Sequence, residues 1–120
     1  MSRSRILVVE DDRSVRQMYQ TALILAGFRV ETANDGLGAL QKIDEEKPDL
    51  IVLDLQLPRV DGLAVLDDVR ANRNTGSIPV VVVTGSDYQN AVAQASTILT
   101  KPCEPEALIS VIEQHLQVAA

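Results

Sequence analysis

The acidic run Glu10-Asp11-Asp12, the isolated Asp54, Thr84 and the Lys101-Pro102 pair each stand at the end of a short apolar segment or just after it. Carboxylates brought from two such segments into one crevice would repel and raise one another's pKa unless a positive charge intervened. A divalent cation is the simplest such charge. All-oxygen ligation with no His or Cys nearby suits Mg²⁺ or Mn²⁺ better than Zn²⁺, and Mg²⁺ keeps waters and takes phosphate oxygens as further ligands. Phosphoryl transfer requires an in-line nucleophile and positive charge on the equatorial oxygens. Asp54 is the natural acceptor, with the metal, Lys101 and the Thr84 hydroxyl supplying charge and hydrogen bonds.

These residues converge only if the chain builds a suitable scaffold. The runs Ile6 to Val9, Leu50 to Leu53 and Val80 to Val83 are rich in Val and Ile and do not alternate with polar residues, the pattern of strands buried on both faces of a parallel sheet. Strands are predicted near residues 5–10, 28–33, 49–54, 79–84 and 97–101, the second and fifth from context. Between them, helical spacing groups Val15, Met18, Ala22 and Leu25, then Ala39, Leu40 and Ile43, then Leu63, Leu66 and Val69. Leu108, Ile109, Ile112 and Leu116 form the face of a last helix. Gly27 and Pro48 punctuate the ends of the first two helices, and Pro105 suits the first turn of the last. The pattern is βα repeated five times, and right-handed crossovers make it a doubly wound α/β sandwich. Ligands of such sheets sit beyond the carboxyl ends of the strands, where Glu10, Asp11, Asp12, Asp54, Thr84 and Lys101 fall.

A chain of 120 residues supports one core, so residues 1–120 are read as a single domain with its core at about 5–118 and no output domain. With 46% hydrophobic and 2% aromatic residues, that core must be built from Val, Leu, Ile and Ala. The net charge of −6 offers no basic patch, so direct nucleic-acid binding is not expected. No apolar run is long enough to span a membrane and no signal-peptide core opens the chain, which implies a soluble, cytoplasmic protein. The single Cys103 agrees with a reducing compartment.

The motifs ILVVEDD (6–12), LIVLDLQLPRVDG (50–62), VVVVTG (80–85) and TKP (100–102) together resemble the receiver domain of bacterial two-component response regulators, of the chemotaxis-regulator-like type. The resemblance implies a flavodoxin-like, five-stranded parallel sheet of order 2-1-3-4-5. It also implies a phosphorylation switch in which Asp54 takes a phosphoryl group from a sensor histidine kinase, a phosphotransfer protein or a small acyl phosphate. By position, Glu10 and Asp11 correspond to the acidic metal-binding pair, Asp11 as direct ligand and Glu10 acting through water. Gln56 corresponds to the residue whose backbone carbonyl completes the metal site, Thr84 to the switch hydroxyl and Lys101 to the lysine that pairs with the phosphoryl group. A cis Lys101–Pro102 bond is implied, and Gln56 and Ser86 lie where the family tunes phosphoryl lifetime. No enzymatic activity is implied beyond Mg²⁺-dependent self-phosphorylation and the hydrolysis that resets the switch.

The chain also departs from that pattern. Ile98 replaces the switch aromatic of the fifth strand. The segment between Thr84 and Lys101 is shorter than the family's by about five residues, more than a helical turn, so the fourth helix is expected to be shortened or irregular. Both departures strike the surface many receivers use to dimerise or engage output domains, so output there should be unusual or absent. Other residues read as structural: Asp12 as a helix cap, Pro58 and Gly62 as shapers of the loop after Asp54, His115 as a solvated side chain and Cys103 as a partly buried, inert thiol. Two other functions fit less of the sequence. A phosphorylation-independent docking module would leave the pocket vestigial, and a haloacid-dehalogenase-like phosphatase would need a second aspartate where Gln56 stands.

Overall fold

The computed structural model describes residues 3–85 and 87–116. In chain order these form β1 (Arg5–Val9), α1 (Arg13–Leu25), β2 (Arg29–Ala33), α2 (Gly36–Glu45), β3 (Leu50–Leu53) and α3 (Gly62–Ala71). There follow β4 (Val80–Thr84), a 3-10 turn (Gln89–Ala91), β5 (Thr97–Thr100) and α4 (Pro105–Leu116). All pairings are parallel and the sheet order is β2-β1-β3-β4-β5.

The continuous apolar runs occupy the central strands because alternate residues feed two cores on opposite faces. Leu7, Val9, Ile51, Leu53, Val80 and Val82 meet Ala39 and Ile43 of α2 and Val65, Leu66 and Val69 of α3. Ile6, Val8, Leu50, Val52, Val81 and Val83 meet Tyr19 and Leu23 of α1 and Leu108 and Ile112 of α4. The less apolar β2 and β5 lie at the sheet edges, where they are only partly buried, and so they carry a weaker sequence signal.

Local chemistry sets the helix boundaries. Asp12 Oδ1 accepts from the Val15 amide at 3.0 Å and Asp35 Oδ1 from the Gly38 amide at 2.7 Å, capping α1 and α2. Gly27, at φ 101°, turns the chain after α1, a conformation that costs glycine no Cβ clash.

Two expectations need correction. The inward face of α1 is Tyr19 and Leu23 with Val15 beside them, whereas Met18 is 42% and Leu25 82% exposed. Spacing of 15, 19 and 23 advances one turn per step, and the larger Tyr19 takes the central position that Met18 was expected to hold. The βα repeat is complete four times and not five, because the element between β4 and β5 is a 3-10 turn, the extreme of the shortening expected there. Arg70 of α3 ties that segment to the loop before β4. Its guanidinium donates to the carbonyls of Gln94 at 2.8 Å, Gly76 at 3.1 Å and Ile78 at 2.7 Å, and to Ser96 Oγ at 3.3 Å. No described helix is long and apolar enough to cross a membrane.

Candidate phosphoacceptor and metal site

The site lies beyond the carboxyl edge of β1, β3, β4 and β5, as the sheet topology requires. Parallel pairing brings Val9 beside Leu53 and Thr84 beside Thr100, so the residues that follow are delivered to one end of the sheet. Glu10 is anchored by its amide to the Ala33 carbonyl and Asp54 by its amide to the Val9 carbonyl, both at 3.0 Å. The Lys101 amide donates to the Thr84 carbonyl at 3.0 Å.

Lys101 joins the acids. Its Nζ donates to Glu10 Oε1 at 2.6 Å and to Asp54 Oδ2 at 2.9 Å. The other Asp54 oxygen accepts from the Gln56 amide at 3.1 Å, and Glu10 Oε2 accepts from the Asp12 amide at 3.2 Å. Glu10 and Asp54 are 2% and 5% exposed, whereas Asp11 faces solvent. One carboxylate oxygen from each of Glu10, Asp11 and Asp54 lies within 4.8 Å of the others.

The charges are unbalanced. Three carboxylates face one ammonium, and burial pushes the Glu10 pKa above the ordinary carboxylate value against the opposing pull of the Lys101 and Asp12 hydrogen bonds. Burial also opposes charge on Lys101, but the hydrogen bonds and charges of Glu10 and Asp54 outweigh it and hold the ammonium above the usual lysine value. Three carboxylate oxygens at chelating separation, with no nitrogen or sulfur donor among them, match a hard divalent cation such as Mg²⁺.

Thr84 is fully buried at the end of β4. Ile98, half-buried and paired in register with Val82, packs against the core on the α3 side, so an aliphatic side chain fills the position expected for an aromatic. The Lys101–Pro102 bond is cis. Ser86 lies outside the described residues, as do 117 and 118 of the expected core.

The loop after Asp54 depends on Gly62 through a close approach of backbone. A Cβ there would overlap the Asp54 carbonyl oxygen and come within 2.5 Å of Leu55 Cα, so only glycine lets α3 start against the acceptor strand. The left-handed residue of this loop is Arg59, at φ 71°, whose guanidinium pairs with Asp35 at 2.9 Å. His115 is half-buried rather than solvated, with Nε2 at 2.6 Å from Thr97 Oγ1. Thr97 begins β5, so this pair belongs to the end of the sheet opposite the acids.

Two neighbours of the site were missed by sequence reasoning. Tyr19 donates its hydroxyl to the Cys103 carbonyl at 2.9 Å, tying α1 to the loop behind Lys101. Burial pushes the phenol pKa up to about 12, so it stays a donor. Arg16 Nη1 donates to the carbonyls of Glu10 at 3.0 Å and Asp11 at 3.3 Å. In sequence both are ordinary helix residues, and nearness to the acid run is the only hint for Arg16.

Comparison with known proteins gives a consistent picture. The family model described as the response regulator receiver domain matches residues 6–113. Response regulator MprA of Mycobacterium leprae is 40% identical over 119 residues, covering 94% of this chain and 51% of that protein. A response regulator receiver domain protein (CheY-like) from Methanospirillum hungatei superposes with a TM-score of 0.89 at 30% identity, covering 97% of this chain and 95% of that one. Chemotaxis protein CheY4 of Vibrio cholerae gives a TM-score of 0.87 at 31% identity, covering 94% and 98%. The chain spans about half the length of the curated relatives it matches. These matches favour neither the docking module nor the dehalogenase-like phosphatase.

Proposed function

Because the chain belongs to the response regulator receiver domain family, we propose that it is a phosphorylation switch whose acceptor is Asp54. The observation that carries this assignment is the Lys101 ammonium bridging Glu10 and Asp54 inside a cluster that also holds Asp11.

An Asp54 carboxylate oxygen attacks the phosphorus of a phosphohistidine, on a sensor histidine kinase or a phosphotransfer protein, or of a small acyl phosphate. The new P–O bond forms as the bond to the donor breaks, and the electron pair leaves with the imidazole nitrogen or acyl oxygen. Glu10, Asp11, Asp54 and the Gln56 backbone carbonyl would hold Mg²⁺, for which Mn²⁺ could substitute, with Glu10 acting through water. The bound ion supplies positive charge to the phosphoryl oxygens. Lys101, already on Asp54 Oδ2, keeps its charge beside the group transferred to that carboxylate. The Thr84 hydroxyl donates to a phosphoryl oxygen and so links phosphorylation to the end of β4. Gln56 and Ser86 govern the access of water, and hydrolysis of the acyl phosphate resets the switch. Self-phosphorylation and autodephosphorylation by water are the only chemistry assigned, in the cytoplasm, where these donors and Mg²⁺ meet the protein. Phosphorylation changes the binding of an output domain or downstream protein.

Intact mass after incubation with acetyl phosphate and Mg²⁺ tests the assignment. Wild type should gain one phosphoryl group, whereas Asp54→Asn and an EDTA-treated sample should not. No gain in wild type, repeated with phosphohistidine donors, would overturn it.

A further inference from the structure

Resting on the receiver reading, the geometry points to Arg16 as a positioning residue that holds the two metal-binding acids of the β1–α1 loop in chelating orientation through their main chain. Among the described residues the Asp11 carboxylate makes no hydrogen bond or ion pair, and it is exposed. Its place beside Glu10 and Asp54 is therefore set by the backbone that carries it. That backbone has left β1 at Val9 and does not enter α1 until Arg13, so its carbonyls at Glu10 and Asp11 lie outside the regular elements. One guanidinium nitrogen bridges both, at 3.0 and 3.3 Å. The Asp12 amide, on Glu10 Oε2, and the Asp12 cap of α1 pin the far end of the same turn. Arg16 stands one helical turn beyond Asp12, and its own amide donates to the Asp12 carbonyl at 2.9 Å, so its stem is fixed by the helix that the loop leads into.

Positioning and electrostatics predict opposite signs. A guanidinium near a cation site repels the cation, so if Arg16 acted by charge alone its removal would tighten Mg²⁺ binding, by about five-fold at water-like dielectric for a doubly charged ion about 8 Å away. If it holds the loop, its removal frees the two peptide units and weakens binding, and outer groups that orient ligands are typically worth 10–100-fold in metal affinity. Arg13 supplies the matching control. It is exposed, lies three residues earlier on α1 and makes no hydrogen bond or ion pair among the described residues.

The experiment is calorimetric titration of the whole chain with MgCl₂, alongside unfolding midpoints in EDTA. Arg16→Ala should bind Mg²⁺ about ten-fold more weakly than wild type, while Arg13→Ala binds as well or slightly tighter. Arg16→Lys, which keeps the charge but offers a single point donor, should fall between wild type and Arg16→Ala. If Arg16→Ala fails to fold, the lysine variant decides the matter by binding more weakly than wild type. Equal or tighter Mg²⁺ binding by either Arg16 variant, or a lowered midpoint with unchanged affinity, overturns the inference. Failure of wild type to bind Mg²⁺ at all would instead sink the receiver reading on which it rests.

Discussion

Replacing Lys101 by methionine removes the ammonium that Glu10 and Asp54 share while keeping most of the aliphatic stem. Both carboxylates are buried, and stripping the partner from a buried ion pair costs about 3–5 kcal/mol. The Lys101 side chain is 25% exposed and Asp11 opens the site to water, so screening reduces the expected loss to about 2 kcal/mol at pH 7.5 in EDTA. In urea that is a fall in midpoint of about 1 M, and in a thermal scan one of about 6–10 °C. The loss has a signed pH dependence. The raised Lys101 pKa means that its stabilisation is fully present below the ordinary 10.5 and is lost only as pH rises through the higher folded value. Without Lys101, the Glu10 pKa rises further, and an acid raised in the folded state costs stability above that pKa and none below the ordinary 4.5. The gap between variant and wild type is therefore widest near pH 8 and narrows toward pH 4.5, and millimolar Mg²⁺ should shrink it at neutral pH by replacing the missing charge. Urea titrations at pH 8, 6.5 and 5, with and without Mg²⁺, measure all of this. A variant as stable as wild type in EDTA at pH 7.5, or a gap flat across that range, would refute the ion-pair reasoning.

Gly62→Ala should cost about 2–3 kcal/mol, because its Cβ meets the backbone of Asp54 and Leu55, and it should slow phosphorylation from acetyl phosphate by displacing the loop that bears Gln56. Gly27→Ala, at φ 101° with nothing within 4 Å, should cost only about 1 kcal/mol and leave phosphorylation unchanged, as urea titration and intact mass would show. Arg5→Gln should destabilise the fold by less than about 1 kcal/mol, since its partners Glu31 and Glu46 are 39% and 57% exposed. The Arg5 hydrogen bond holds the Glu31 pKa below the usual carboxylate value, so this contribution is present above pH 4.5 and is lost as pH falls through the depressed value. Chemical denaturation at pH 7 and pH 3.5 should show the Arg5→Gln difference shrinking at the lower pH.

The sequence alone determined the parts that follow from local rules. Runs such as Ile6 to Val9 and Val80 to Val83 can be buried only on both faces, which requires a parallel sheet covered on each side. That sheet places whatever follows each strand at one edge, so the placement of Glu10, Asp11, Asp54, Thr84 and Lys101 at the same end of the sheet was legible in the sequence. Asp12, followed at once by a helical run, was likewise legible as a cap. Tertiary structure decided what depends on packing between distant segments. Helical spacing alone grouped Met18 with Val15, and only the fit against β1, β3 and α4 selects Tyr19 for the inner face of α1. Gly62 is required by the approach of Asp54 and Leu55, and His115 is paired only because α4 passes Thr97. The reach of Arg16 to two carbonyls, of Lys101 to two carboxylates and of Arg70 to four acceptors depends on side-chain paths between separate elements. Periodicity fixes the direction a residue faces along its own helix or strand, whereas these contacts depend on the distance to another element, which only the folded sheet sets.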